Sequence, residues 1–258
     1  MRTLDLGRRL EAGMAKSPSH PDFTHVLQRR HGDRVRGDGG SGASDMVIMG
    51  LHVGTHIDAA AHVSQDGRMA EGLTVGEAME NGRFARLGVH EVAPFVAHCV
   101  VLDIATHLGS RRLPGGFEIS AALLDECAQR QDTPIEPGCV VFIRTGWGTL
   151  FGDPEAYIGH ASGVPGIGIE AAQHLVGHRV RCVGADTNAF ELVRPGQGHS
   201  ALPVHRVLLV DNTINIIESL DLEPVRDAGV SAFDVVIAPL YVYGATGAPV
   251  RPLAMLPD

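Results

Sequence analysis

Residues 52–62 read His52-Val53-Gly54-Thr55-His56-Ile57-Asp58-Ala59-Ala60-Ala61-His62, or HVGTHIDAAAH. Three histidines and an aspartate fall on even-numbered positions only, an order that solubility does not require. On a regular strand His52, Gly54, His56 and Asp58 share one face. A straight strand nevertheless fails as a metal site. It would hold His52 and His56 ~13 Å apart at ~3.3 Å per residue, whereas Zn²⁺ takes its nitrogens at ~2.0–2.1 Å. A helix would set His52 beside His56 and turn Asp58 away at ~100° per residue. The segment is therefore expected to be a bent strand end or loop hinged at Gly54, which can adopt backbone angles closed to other residues. The Thr55 hydroxyl is placed to hold a ligand or the backbone. His62 follows three small alanines that let the chain turn back, and it can serve as a ligand or as a base. Isolated histidines are ordinarily satisfied by a hydrogen bond, but four ionisable groups within eleven residues favour a metal site.

Working outward, short β-branched runs bounded by glycine or proline predict strands at 46–49, 99–103, 139–144, 179–185, 214–218 and 235–243. Most are continuous apolar runs, the pattern of strands covered on both faces. Helices are expected in SAALLDECAQR, with Ser120 as its N-cap, and in GIEAAQHLVGH around residues 171–177. Gly244–Gly247 between two strand-like runs predicts a β-hairpin. The Gly/Ser-rich stretch 34–45 predicts an exposed loop. The fold class is α/β, and no linker divides residues 1–258, which read as one domain.

The 258 residues suffice for a large core. With 21 basic against 30 acidic residues the net charge is −9, and the basic residues are scattered, which argues against nucleic acid as a partner. No apolar run reaches the ~18 residues of a membrane span, and the amino terminus lacks a signal-peptide core, so a soluble, cytoplasmic protein is expected. Cys99, Cys127, Cys139 and Cys182 form no C-x-x-C pair and read as small buried residues. No G-x-S-x-G nucleophile elbow and no nucleotide-binding glycine pattern occurs, so a nucleotide cofactor is not expected.

HVGTHIDAAAH resembles the H-x-G-T-H-x-D-x-P-x-H signature of the cyclase family of metal-dependent hydrolases, which includes bacterial kynurenine formamidase and isatin hydrolase. Ala60 stands where that signature has proline. GMAKSPSHPDF, CVVFIRTGWG, GIGIEAAQHL, VGADTNAFE, HRVLL, IIESL and APLYVYGATGAPVRPLAML follow the family's order over nearly the whole chain. The resemblance implies a swivelling β/β/α-type domain around a mixed, largely buried sheet, and a homodimer. It implies His52, His56 and Asp58 as metal ligands, His205 and Glu218 as the distant ligands, and His62 as the catalytic histidine. Phe23, with His20 and Pro21, enters the substrate pocket by resemblance, and Trp147 by its place beyond a predicted strand end.

The chemistry expected of such a site is attack of activated water on a small aryl amide, lactam or lactone, cleaving C–N or C–O with Zn²⁺ or Mn²⁺ as cofactor. Two other readings stay open. His56, Asp58 and His205 also match the two-His, one-carboxylate triad of non-haem Fe(II) oxygenases, which predicts a double-stranded β-helix and leaves His52 and Glu218 unused. A non-catalytic metal-binding protein would close the coordination sphere and leave His62 spare.

Overall fold

The computed structural model describes residues 2–257. Its centre is a mixed nine-stranded sheet. The strands, in chain order, are β1 (Arg2–Asp5), β4 (His56–Asp58), β5 (Phe95–Asp103), β6 (Val140–Arg144), β7 (Cys182–Ala185), β8 (Asn215–Glu218), β9 (Ala232–Ile237), β10 (Gly247–Pro249) and β11 (Leu253–Leu256). Between β1 and β4 lie β2 (Thr24–Arg29) and β3 (Ser44–Ile48), which pair only with each other. The sheet order is β1-β11-β9-β5-β6-β7-β8-β4-β10. Strands β5 to β8 are parallel, and the flanking pairs are antiparallel.

The continuous apolar runs have a simple cause. Along β5, Val100 and Leu102 enter one core while Cys99 and Val101 enter the other; along β6, Val141 and Ile143 oppose Val140 and Phe142 in the same way. Both faces are buried, so the side-chain alternation of a strand leaves no polar face to read. The first core lies beneath the helices of the crossovers. These include α1 (Ala121–Gln131), capped by Ser120 Oγ on Leu123 N, and α2 (Ile169–Gly177). The second core is enclosed by the sheet itself. Only residues 250–252 join β10 to β11, a reach of ~14 Å at ~3.6 Å per residue, yet those strands stand seven places apart, or ~34 Å in a flat sheet at ~4.8 Å spacing. The sheet must therefore curl until its ends meet, and Val250 N does donate to Thr55 O (3.1 Å) while Leu6 N donates to Pro252 O (3.0 Å). A curled sheet under a helix layer is the β/β/α arrangement expected.

Two local expectations need correction. The hairpin at Gly244–Gly247 does not form: β9 pairs with β5 and β11, whereas β10 pairs with β4. The strand predicted at 235–243 stops at Ile237, just before Pro239, which has no N–H to give a ladder. The exposed loop expected at 34–45 is present: it forms the tip of an arm built by β2 and β3 and runs into the first residues of β3, and every residue of the arm is exposed or half-buried. All four cysteines are buried and unpaired. Among the described residues no helix is long and apolar enough to cross a membrane.

Candidate metal centre

The bend in residues 52–62 has the hinge that its sequence required. Gly54 sits at φ +67°, and a Cβ there would stand 2.5 Å from Leu10 Cδ2. Thr55 Oγ1 donates to Ser219 O (2.7 Å) and accepts from Arg8 N (2.8 Å), pinning the bend to the end of β8. The chain then enters β4, whose His56 lies opposite Glu218 of β8, while Asp58 lies opposite Ile216. His56 and Asp58 share a face by alternation, and Glu218 joins them as a cross-strand neighbour. A buried 3-10 turn at Ala60–His62, held by Ala61 N on Leu87 O (2.9 Å), brings His62 back over the site. Its ring stacks on His52 with centroids 4.0 Å apart. Proline is thus not needed at position 60 to close this turn.

All six side chains converge. His52 Nδ1 lies 2.6 Å from Asp58 Oδ1, and its Nε2 lies 2.8 Å from Thr246 Oγ1. His56 Nδ1 donates to Gly54 O (2.8 Å), which leaves Nε2 facing Asp58 Oδ1 and Glu218 Oε2, each at 3.5 Å. His205 Nε2 lies 3.1 Å from Glu218 Oε1 and 3.5 Å from Asp58 Oδ2. Two triads of potential metal ligands, His52/His56/Asp58 and Asp58/His62/His205, share Asp58. Gly247 of β10 leaves room for the first: a Cβ there would meet His52 Cε1 at 2.6 Å and Ile57 O at 2.7 Å.

A divalent cation fits this donor set. Asp58 Oδ2 is buried with no hydrogen-bond partner, a cost that a structure sustains only when something else satisfies the atom. Burial alone would raise the Asp58 carboxyl, yet His62, His52 and His205 hold it well below the usual range. Burial would likewise raise Glu218, and His205 pulls it down. His205 is pushed down by burial but held well above its ordinary value by Asp58, Glu191 and Glu218, the mark of a carboxylate-rich centre that favours positive charge. Burial lowers His52, and Asp58 outweighs it to raise it. His62 differs: burial dominates and takes it down to about 4.

Glu191 was not foreseen. Its Oε1 accepts from His205 Nδ1 (2.6 Å) and His205 N (3.0 Å), and its Oε2 accepts from Val204 N (3.1 Å). It thereby fixes the tautomer that turns Nε2 toward the site, the partner that metal-ligating histidines usually have. The only sequence signal was a carboxylate closing the motif VGADTNAFE. The pocket above the cluster is walled by His20, Lys16, Tyr157, Asn188, His199 and Leu202. Neither Trp147 nor Phe23 lines it. Trp147 is buried behind the wall, its Nε1 donating to Tyr157 O (2.7 Å), so the aromatic at the pocket is Tyr157. Phe23 is half-buried at the base of the β2–β3 arm. Asp186 has a structural role: its Oδ1 accepts from Thr145 N (2.9 Å) and Thr145 Oγ1 (2.6 Å).

The sequence profile of the Cyclase family matches residues 4–192, a span that ends before His205 and Glu218. The isatin hydrolase of Roseibium aggregatum is 25% identical over 228 residues, 85% of this chain and 77% of that protein. A crystal structure described as a novel cyclase has TM-score 0.88 at 27% identity, covering 99% of this chain and 88% of that one. Isatin hydrolase A from Ralstonia solanacearum has TM-score 0.75 at 23% identity, covering 98% and 91%, and shares the fold.

Proposed function

The chain belongs to the Cyclase family, and from that membership and the convergence of six side chains on one buried point we propose that it is a metal-dependent hydrolase. Its substrate would be a small aryl amide, lactam or lactone, whose C–N or C–O bond it cleaves. The observation that carries the reading is the unpartnered Asp58 Oδ2 at the junction of two ligand triads. The similarity to an isatin hydrolase supports a lactam or related carbonyl compound. His52, His56, Asp58, His205 and Glu218 would hold the ion, and such donors suit Zn²⁺ and Mn²⁺ alike. A divalent ion bound there supplies Lewis acidity, acidifying water and polarising a carbonyl.

The remaining work falls to the chain. Held neutral by burial, His62 has a free lone pair to take the proton from attacking water. It then returns that proton to the leaving nitrogen or oxygen as the tetrahedral adduct collapses. The free space above the cluster is about 40 Å³, far below the ~300 Å³ at which small-molecule pockets begin. An aryl ring must therefore sit toward the mouth, where His20, His199 and Leu202 give way to admit it. The oxygenase alternative called for a double-stranded β-helix, and the nine-stranded curled sheet is not one.

We propose a homodimer as the working unit. Val26, Leu27, Met46, Val47 and Ile48 of the arm are each 44–54% exposed, and an isolated two-stranded hairpin is marginal in water without cover. A second copy of the chain is the occupant that this reading requires.

The test is metal content of the wild type and His56→Ala, together with anaerobic hydrolysis of isatin, N-formylkynurenine and a dienelactone. Bound Zn²⁺ or Mn²⁺ lost in the variant, with oxygen-independent turnover of any of the three, is expected. Turnover requiring Fe(II) and oxygen, or metal bound with no hydrolysis, overturns the reading.

A further inference from the structure

Outside the pocket, one more cluster of metal-binding side chains stands on the helical layer. His174 of α2 and His178, the residue capping its carboxyl end, are spaced i, i+4 and so share a helix face. Their rings lie 4.7 Å apart at 69°. Asp125 of the neighbouring α1 reaches the same point, its Oδ1 2.8 Å from His174 Nε2. One ligand atom from each of the three lies within 4.8 Å of the others. None of the three belongs to the elements that build the His/carboxylate pocket.

From this we infer that Asp125, His174 and His178 form a second, peripheral site for a divalent transition-metal ion, one that clamps α1 to α2. Three features point beyond a solvated His–Asp pair. His178 Nδ1 donates to Ile135 O (3.0 Å), so the lone pair is on Nε2; a backbone carbonyl on the far nitrogen is the usual support of a ligating imidazole. The two histidines stand one turn apart at the carboxyl end of α2, so the helical backbone already holds them on one face. An open cleft bordered by Asp125, Asp132 and His178 adjoins the cluster and gives water access to the remaining coordination positions. Two imidazoles and one carboxylate favour Zn²⁺, Ni²⁺ or Cu²⁺ over Mg²⁺ or Ca²⁺.

Zn²⁺ alone is the probe. Holoenzyme of the wild type, His174→Ala and His178→Ala is titrated with Zn²⁺ against a chromophoric chelator, and melting temperature is recorded with and without the added ion. The wild type is expected to bind one more equivalent per chain than either variant, or to bind it more than about tenfold tighter, since even loss of a supporting partner costs 10–100-fold. Added Zn²⁺ is expected to raise the melting temperature of the wild type and not of the variants. Equal stoichiometry and affinity in all three proteins, or a loss confined to His174→Ala, overturns the three-ligand site. Because the variants leave the pocket intact, this outcome is independent of whether the hydrolase proposal holds.

Discussion

Glu191→Gln separates the positioning of the site from its chemistry. Glu191 touches neither the space above the cluster nor Asp58; it acts through His205. Glutamine is nearly isosteric, so the pocket's shape survives, but the carboxylate charge does not. Three hydrogen bonds end on that carboxylate. A bond to a charged group is worth ~1.5–3 kcal/mol and a neutral one ~0.5–1.5, so the exchange costs about 1 kcal/mol per bond and about 3 kcal/mol in all. One new N–H must also face a backbone donor, either Val204 N or His205 N. The imidazole becomes less basic and freer to rotate, and metal affinity is expected to fall 10–100-fold, or about 1.4–2.8 kcal/mol at 1.4 per decade. Competition between the protein and a calibrated chelator measures this directly, with thermal unfolding of the metal-free protein measured beside it. A lower melting point with affinity within about twofold of wild type would refute the positioning role and leave Glu191 a purely structural residue.

His62→Gln is expected to retain metal and lose 10²–10⁴-fold in kcat, the usual range for a proton-transfer group; loss of the metal with it would make His62 a ligand instead. The same residue sets a pH dependence. Its folded pKa of about 4 lies below the unfolded 6.5, so the unfolded chain takes up the proton first as pH falls. Stability from this group is complete above pH 6.5 and declines by about 3 kcal/mol toward pH 4 at 1.36 kcal/mol per unit; chemical denaturation of the metal-free protein should show a shallower decline in His62→Gln. Binding of the metal should release protons near pH 7, because His205, held well above its ordinary value, must give one up. Calorimetry in buffers of different ionisation enthalpy counts them, and zero release would sink the assignment of His205 as a ligand. Met46→Asp with Ile48→Asp places two charges on one face of the arm and is expected to convert a dimer into a monomer by light scattering; a wild type that is already monomeric at micromolar concentration removes the dimer proposal.

What could be read in the sequence divides by distance along the chain. The near half of the site was legible because its geometry is local. Spacing excluded a straight strand and a helix, Gly54 was the one residue able to make the bend, and the alanines left His62 room to return. The far half depends on pairing that no local pattern encodes. Glu218 stands opposite His56 only because β8 and β4 run antiparallel in that register, and Glu191 reaches His205 through the loop after β7. The failed hairpin has the same origin: turn chemistry at Gly244 marks a reversal, but which strand receives the chain is decided by the curl of the whole sheet. Trp147 misled for a simpler reason, since a position just beyond a strand end does not say which side of the loop meets solvent.

Register and chemistry are one constraint here. The site lies where the last parallel strand, β8, meets antiparallel β4, at the carboxyl ends of the parallel strands, where ligand sites of open α/β sheets gather. A slip of one residue between β4 and β8 would turn every side chain of β4 to the opposite face. His56 and Asp58 would then leave the pocket together, and Ile57, now buried in the second core, would take their place beside Glu218. The apolar cost of misplacing Ile57 therefore protects the alignment of the ligands. Gly247 closes the arrangement from the other side of β4, since it pairs with Asp58 in register and lacks the Cβ that would strike His52. The buried apolar pattern that makes the sheet stable is thus what brings four imidazoles and two carboxylates to one point, at a cost in buried charge that a bound cation would offset.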